Sequence, residues 1–348
     1  GSWQTTISAA DLALLSDGMN TITAQATTPD GTASDNHNFT VIIHNLPQLQ
    51  VDLPFVDGTV NLAESTQNQL LTGHTNVTGA GQTVVATLNG QQYIGVVQND
   101  GSWSVTLPAG AMESLPSAPG TITVDVKDAA GNPSSETIAF NVDKTPPSVS
   151  VIPVNGTDVL NAANVQSGQT VNINASGDTA SVVVTLNGVP HAATLTGGVW
   201  QVQLSSTELG ALPNGVTSYT VTATDNAGNT TTVTRTVTLD TLAPNVIIDP
   251  VTRDNLIDIA ELNSGIILTG KTVPADPGSV VTININGVTV SGTVAADGSW
   301  SIPVNANVLT GMVNGTYLMS VTASDPAGNT STAQNVSFKV DTTKSAIM

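Results

Sequence analysis

The sequence contains no cysteine, so neither disulfides nor thiolate chemistry contribute to the fold or to a site. Its four histidines occupy unrelated positions. Without cysteine, and without a histidine pair at ligand spacing, zinc and copper are disfavoured as bound metals. We therefore expect oxygen atoms as the ligands of any metal that this chain binds.

Positive charge is also scarce. Asp and Glu total 26 against 7 Lys and Arg, which gives a net charge of −19. Nucleic acid and anionic membrane surfaces would repel such a chain. No apolar run approaches the ~20 residues needed to cross a bilayer. We therefore expect no nucleic-acid partner and no membrane insertion of this segment, and a chain that cations can neutralise.

Aromatic residues make up only 3% of the chain, and long helical periodicity is missing. Val, Thr, Ile, Ala and Asn dominate, with Gly and Pro between short apolar runs. This composition is typical of short strands and tight turns. It predicts an all-β protein.

A repeat of about 100 residues organises the sequence. The tryptophans are spaced by 100, 97 and 100 residues, each two positions after a Gly: Trp3, Trp103, Trp200 and Trp300. About 25 residues after the last three comes a shared five-residue pattern: Asp128-Ala-Ala-Gly-Asn132, Asp225-Asn-Ala-Gly-Asn229 and Asp325-Pro-Ala-Gly-Asn329. A strand-like run then ends on Asp143, Asp240 or Asp341.

These markers predict three complete units, at 47–143, 144–240 and 241–341. Residues 342–348 would begin the next linker. Residues 1–46 match only the C-terminal half of a unit. Because half of a sandwich exposes unpaired sheet edges, we expect residues 1–46 to be frayed or completed by residues outside this sequence.

Alternation of apolar and polar residues predicts seven short strands in the middle unit. They are expected at about 148–153, 170–174, 182–186, 191–195, 200–204, 219–224 and 230–239, named A to G. Asn-Gly pairs at 89–90, 187–188 and 286–287 predict the same hairpin turn in every unit. Seven strands in a unit of this length are typical of an Ig-like sandwich. The predicted fold is a series of tandem Ig-like antiparallel β-sandwiches forming an elongated rod.

Three motifs give the units a family resemblance: Gly-x-Trp, Asp-x-Ala-Gly-Asn, and the linkers Asp143-Lys-Thr-Pro-Pro147 and Asp240-Thr-Leu-Ala-Pro244. Through them, nearly the whole chain resembles the tandem bacterial Ig-like domains of giant type I-secreted adhesins of Gram-negative bacteria, in the style of the Salmonella adhesin SiiE. The resemblance implies a secreted, extracellular segment at the bacterial surface. It also implies linkers stiffened by bound calcium, a role in virulence, and adhesion proper located elsewhere in the protein.

Loop topology indicates where acidic groups meet. If strands alternate in direction, the B–C, D–E and F–G loops lie where the chain enters a sandwich, and the A–B and E–F loops lie where it leaves. Side chains of consecutive units then converge on each linker. The expected ligands at the first junction are Asp57, Glu64, Asp143, Asp178, Asp225 and Asn229. Those at the second are Asp240, Asp276, Asp325 and Asn329, and the corresponding residues at the two ends of the array are Asp128, in the motif of the first unit, and Asp341, the last residue of the third.

Clustered carboxylates repel one another unless a cation neutralises them. Calcium suits such a site because it takes six to eight oxygen ligands. The alternative for each Asp is structural, with its carboxylate accepting turn amides and the Gly at positive φ. Asn164 stands where Glu64 aligns, so we expect the two junctions to differ in metal affinity or number.

The tryptophans admit two interpretations. Aromatic faces can stack on sugar rings, but each Trp begins strand E directly after a Gly turn, where a sandwich core takes a large apolar side chain. No second aromatic recurs beside them to build a sugar-binding platform. We therefore expect core tryptophans.

Enzyme signatures are missing from the sequence: no Gly-x-Ser-x-Gly elbow, no phosphate-binding Gly loop and no His-Glu-x-x-His. The expected function is structural, as an extender segment of a large bacterial surface adhesin with Ca2+ rigidifying the junctions. The segment is expected to be a monomer in contact with adjacent Ig-like domains, while the full-length adhesin binds a host cell-surface glycan or protein. The alternative is that this segment binds the host glycan or protein itself.

Overall fold

The computed structural model describes residues 1–79 and 82–343. Most of the regular structure is β-strand, joined by helices of three to six residues, so the predicted all-β class is confirmed. Three separate hydrophobic cores are present, formed within residues 55–142, 154–239 and 246–340. Each core belongs to one Ig-like sandwich, named here the first, second and third.

A hairpin precedes the first sandwich. Helix α1 (Ala9–Leu12) leads into strands β1 (Gly18–Thr28) and β2 (Gly31–Val41). The two strands are antiparallel and paired from end to end. Every residue of β1 has a partner in β2, so these strands are paired with each other, and whether residues outside this sequence complete the unit stays a prediction.

The first sandwich has eight strands and two short helices. The strands are β3 (Leu49–Val51), β4 (Thr59–Val60), β5 (Gln69–Thr75), β6 (Thr83–Leu88), β7 (Gln91–Val97), β8 (Ser102–Leu107), β9 (Gly120–Lys127) and β10 (Pro133–Val142). The helices are α2 (Leu62–Ser65) and α3 (Ala109–Glu113). Hydrogen bonds join the strands in the order β3-β5-β8-β7-β6-β9-β10-β4.

The second sandwich has two sheets. Its strands are β11 (Val149–Val151), β12 (Val159–Leu160), β13 (Gln169–Ala175), β14 (Thr179–Leu186), β15 (Val189–Ala192), β16 (Thr194–Thr196), β17 (Val199–Leu204), β18 (Gly215–Asp225) and β19 (Thr230–Leu239). Its helical segments are a 3-10 turn (Val154–Gly156), α4 (Ala162–Ser167) and α5 (Ser206–Gly210). The sheet orders are β11-β13-β17-β16 and β12-β19-β18-β14-β15.

The third sandwich repeats this plan. Its strands are β20 (Val246–Ile248), β21 (Leu256–Ile257), β22 (Ile266–Thr272), β23 (Val280–Ile285), β24 (Val288–Thr293), β25 (Ser299–Val304), β26 (Gly315–Ser324) and β27 (Gln334–Val340). Its helices are α6 (Ile259–Ser264) and α7 (Ala306–Leu309). The sheet orders are β20-β22-β25 and β21-β27-β26-β23-β24.

All seven strands predicted for the second sandwich are present, but strand D is divided and β12 was not predicted. The A segment forms β11, which pairs with β13, and is followed by β12, which runs parallel to β19 in the other sheet. The D segment forms β15, which pairs with β14, and β16, which pairs with β17. The D segment therefore contributes a strand to each sheet, as do β11 and β12 together.

The predicted Asn-Gly hairpin turns are confirmed in all three sandwiches. Asn89, Asn187 and Asn286 have φ of 53°, 49° and 52°, and the Gly after each also has positive φ. Both central residues of a type I′ turn need this conformation, which Asn and Gly adopt most readily. The turn therefore fixes the register of the adjoining strands, for example β23 with β24.

The tryptophans do not share one environment. Trp103 and Trp300 are each only 3% exposed and belong to the first and third cores, as expected. Trp200 is half-buried against the second core. Trp3 is 70% exposed, so the expectation of a core position is wrong for this residue. The β1–β2 hairpin is a two-stranded sheet, without a facing sheet among the described residues to cover Trp3.

The chain divides into two compact units. The first contains Gly1–Pro147 with two loops of the second sandwich, Asp178–Ala180 and Thr224–Thr231, and the other unit contains the rest. The junction between the first two sandwiches therefore lies inside one compact unit, and the junction between the second and third lies inside the other. The domain limits drawn from the repeat remain a prediction. Residues 344–348 of the expected final linker lie outside the described residues.

Candidate functional site at the domain junctions

The Asp-x-Ala-Gly-Asn motif forms a tight turn between the last two long strands of each sandwich. In the second sandwich, one carboxylate oxygen of Asp225 accepts the backbone N–H groups of Ala227 and Asn229 at 2.9 and 2.8 Å. Gly228 has a φ of +87°, which L side chains rarely adopt. Asp225 therefore has the structural role named above as the alternative to metal binding, because its carboxylate accepts the amides of the turn.

Asn229 connects this turn to the preceding sandwich. Its side-chain N–H donates to the Asp225 carboxylate and to the backbone carbonyl of the linker residue Asp143, both at 2.9 Å. Its side-chain oxygen accepts the backbone N–H of Leu62, the first residue of α2, at 2.7 Å. One buried amide thus bonds to its own turn, to the linker and to the first sandwich.

The second junction repeats these contacts. Asn329 donates to the Asp325 carboxylate at 2.7 Å and to the Asp240 carbonyl at 2.8 Å. Its oxygen accepts the backbone N–H of Ala162, the first residue of α4, at 2.8 Å. The two junctions therefore share one hydrogen-bonding scheme.

Asn132 makes two of the three contacts of this scheme. It donates to the Asp128 carboxylate at 2.7 Å and to the Ile42 carbonyl at 2.9 Å. Burial raises the pKa of Asp128, but hydrogen bonds led by that from the Asn132 side chain outweigh it and hold the pKa below its ordinary value of 3.8. The carboxylate of the motif is thus stabilised in its charged form by its own turn.

Each linker also forms hydrogen bonds with the sandwich that precedes it. The Asn214 side-chain oxygen accepts both the N–H and the hydroxyl of Thr241 at 3.0 Å, and Asn314 does the same for Thr342 at 2.9 and 2.8 Å. In the first sandwich Ser117 takes this place and accepts the Lys144 N–H at 3.4 Å. This contact was not predicted, and its one signal in the sequence is a polar residue before each penultimate long strand.

Three predicted ligands come together at the first junction. Carboxylate oxygens of Asp143, Asp178 and Asp225 lie within 4.8 Å of one another. They come from the linker, from the turn just before β14 and from the end of β18. Asp178 is exposed, Asp143 is half-buried and Asp225 is buried. This set, the carboxylate cluster, is the one group of three potential metal ligands found among residues 1–79 and 82–343.

The donor chemistry of the carboxylate cluster fits a hard cation. All three residues offer carboxylate oxygens, which calcium prefers, and neither His nor Cys belongs to the cluster. Each carboxylate oxygen has two lone pairs, so Asp225 keeps acceptor capacity beyond its turn amides. The exposed position of Asp178 leaves the cluster accessible to solvent ions.

The remaining predicted ligands are engaged locally, outside the carboxylate cluster. Glu64 accepts the backbone N–H of Asn61 in a capping box of α2. Asp57 accepts the N–H of Thr59, and Asp341 accepts both the N–H and the hydroxyl of Thr343. These side chains serve turns and a helix end.

The carboxylates at the second junction are likewise engaged. Asp276 accepts the hydroxyl of the fully buried Ser279 at 2.7 Å. Asp240 accepts the N–H of Leu242, and Asp325 accepts the turn amide of Asn329. Among residues 1–79 and 82–343, the first junction thus has a cluster of three carboxylates and the second has none. The sequence had predicted a difference between the junctions from Asn164 in place of Glu64, and not from this cluster.

The bacterial Ig-like domain family (Big_13) matches residues 156–241 and 253–342, together just over half of the chain. The chain belongs to this family. This family is non-enzymatic in character. The match identifies the family, and it does not distinguish a Salmonella-type adhesin from other members.

Solved structures of bacterial adhesins are similar to these bacterial Ig-like domains. A Ca2+-stabilized adhesin with which an Antarctic bacterium binds ice is 27% identical, with a TM-score of 0.43, over 97% of this chain and 85% of that chain. A 1.5-MDa bacterial ice-binding adhesin is 28% identical, with a TM-score of 0.41, over 85% and 98%. A tetra-tandem repeat in the extending region of a large adhesion protein is 23% identical, with a TM-score of 0.37, over 95% and 84%. A search of curated proteins gave no match.

The helices of these bacterial Ig-like domains are short. Among residues 1–79 and 82–343, none is long and apolar enough to cross a membrane.

Proposed function

We propose that this chain is an extender segment of a large bacterial surface adhesin, with calcium bound at the first junction. The observation that carries the proposal is the convergence of the Asp143, Asp178 and Asp225 carboxylates within 4.8 Å. Membership in the bacterial Ig-like domain family and the repeated junction scheme support it. On this proposal the segment is extracellular and monomeric, and the full-length adhesin binds the host glycan or protein.

The three carboxylates of the cluster would hold the cation, with water completing its shell of six to eight oxygens. The cation would neutralise their mutual repulsion. Because Asp143 belongs to the linker, and Asp178 and Asp225 to the second sandwich, a shared ion would fix the linker to that sandwich. The first junction would then bend less with calcium than without it.

Calcium titration of the full chain tests the metal, with heat and the unfolding temperature as readouts. We expect saturable binding and a higher unfolding temperature in calcium than in EDTA. Asp178→Asn should weaken the binding, because it removes one carboxylate charge from an exposed position. Asp30→Asn is the matched control, since it makes the same charge change at the exposed tip of the β1–β2 hairpin. No response to calcium or EDTA would overturn the calcium site.

Small-angle scattering tests the mechanical role. We expect a larger maximum dimension in calcium than in EDTA, and the difference should disappear in Asp178→Asn. An unchanged dimension in the wild type would contradict the rigidifying role. Reproducible binding to a glycan array, abolished by a surface substitution, would instead favour direct ligand recognition by this segment.

A further inference from the structure

We propose that the Asn ending each Asp-x-Ala-Gly-Asn turn is a metal-independent connector that fixes the position of one sandwich on the next. This inference goes beyond the proposed calcium site and rests on the proposed function only in treating the junctions as functional. On this inference, different contacts hold the two junctions. The second is held by Asn329 with or without calcium, and the first combines Asn229 with the carboxylate cluster.

The hydrogen-bonding capacity of the Asn amide supports this role. Its two N–H donors and one oxygen acceptor serve three different parts of the chain at each junction. Asn229 and Asn329 are only 4% and 6% exposed, so water cannot readily replace a lost partner. Removing either side chain would leave a backbone N–H and a backbone carbonyl of the preceding segment without that partner.

The contact is specific in position. The sequence separation between the Asn and the backbone N–H that it accepts is 167 residues at both junctions. Asn161 adds a second bond at the second junction, donating to the Ala327 carbonyl at 3.1 Å. These bonds link the segment before β13 to the turn after β26 within one compact unit.

The Gly of the motif lies at the same contact. A Cβ on Gly228 or Gly328 would lie 3.4 or 3.1 Å from the side-chain nitrogen of Asn61 or Asn161 of the preceding sandwich. Both glycines also have positive φ, at +87° and +91°. The positive φ therefore favours Gly at both positions, and at Gly328 a Cβ would also be closer to Asn161 than an ordinary contact allows.

The second junction provides the cleaner test, because the carboxylate cluster lies at the first. Amide hydrogen exchange of Ala162 in the full chain reports the Asn329 bond directly. We expect this amide to be protected equally in calcium and in EDTA. Asn329→Ala should speed its exchange about tenfold, the order of magnitude for one lost partner of a buried amide. Asn305→Ala is the matched control, since it makes the same substitution at an exposed position without a side-chain cap bond.

A partner-side variant separates the connector from general destabilisation. Ala162→Pro removes the donor at the first residue of α4, where Pro is tolerated, and the preceding Asn161 is already extended. Spin labels at Thr207→Cys and Ala296→Cys, in a chain without native cysteine, report the joint as a distance distribution. We expect both Asn329→Ala and Ala162→Pro to broaden this distribution, and the double variant to broaden it no further.

The outcomes distinguish this inference from the calcium proposal. A narrow distribution in EDTA for the wild type, broadened by Asn329→Ala, supports the connector even if calcium titration shows no binding. Broadening by EDTA alone, or no effect of Asn329→Ala in a chain with unchanged circular dichroism, would overturn it.

Discussion

The indole of Trp103 lies directly against Gly73, its partner in the β5–β8 register. Trp300 and Gly270 repeat this contact in the third sandwich. In the second sandwich Ile173 faces Trp200 instead, and Trp200 is only half-buried. The missing side chain of the Gly therefore provides the space in which the large ring is buried.

This contact predicts a cost for adding a single methyl group. In Gly73→Ala or Gly270→Ala, the new Cβ would overlap the indole and a backbone carbonyl, so we expect a loss of about 1–3 kcal/mol, the usual range for overpacking. Chemical denaturation of the full chain measures it. Gly110→Ala is the control, because open space surrounds this Gly in α3 and Ala favours a helix by roughly 0.5–1 kcal/mol. Equal effects of these variants would contradict the packing argument.

The environments of the tryptophans predict their quenching. Trp3 is 70% exposed, whereas Trp103 and Trp300 are 3% exposed. We expect Trp3→Phe to remove most of the fluorescence that acrylamide quenches and to leave the blue-shifted component. Trp103→Phe should do the reverse. A uniform quenching constant for all four tryptophans would show that the hairpin is covered.

The hydrogen bonds of Asp17 predict a structural change in acid where the chain leaves β2. Hydrogen bonds led by that from the Ile43 N–H, and including those from His44 and Asn45, lower the pKa of Asp17 from 3.8 to about 2. Because the folded pKa is depressed, this stabilisation is present above pH 3.8 and is lost as the pH falls towards 2. Carbonyl chemical shifts of Asp17 should titrate in that window. Protection of the Ile43 amide should fall in parallel, and Asp17→Asn should remove this pH dependence.

The buried hydroxyl of Tyr219 predicts a loss of folding stability in alkali. Burial, followed by the Asp158 charge, raises the pKa of its hydroxyl above 10.0. Because the folded state retains this proton longer than the unfolded state, the stability linked to Tyr219 decreases as the pH rises above 10. Absorbance at 295 nm should show a late ionisation step that Tyr219→Phe abolishes. If the variant keeps that step, the buried position assigned to the hydroxyl is wrong.

The sequence predicted those parts of the molecule that repeat with local rules. Trp spacing located the units, and Asn89-Gly90 and its counterparts located the hairpins, because positive φ is a property of the residues themselves. The helices were missed because four to six residues are too few for periodicity. Capping boxes could have revealed several of them, as at Asn61-x-x-Glu64 and Asp258-x-x-Glu261.

The junctions were predicted only in part. Alternating strand direction brought Asp143, Asp178 and Asp225 to one end of the second sandwich, and their carboxylates do meet. The bonding of Asn229 to Leu62 could not be derived, because it depends on how closely one sandwich approaches the next. Asp276 lies outside this cluster and accepts the hydroxyl of the buried Ser279, so its place among the ligands stays a prediction.

The same hydrogen-bonding scheme recurs at both junctions, each time between two residues that are 167 positions apart. This recurrence bears on how such a protein can change its length. The first and second sandwiches each offer a backbone N–H after their first strands, and the second and third each offer an Asn near their last, so both joints use unlike surfaces of two neighbours. Contacts between unlike surfaces can be repeated from one domain to the next without forming a closed ring. An in-frame duplication or deletion of one repeat would therefore conserve every joint, and the number of domains could vary while the chemistry of the contact stayed the same.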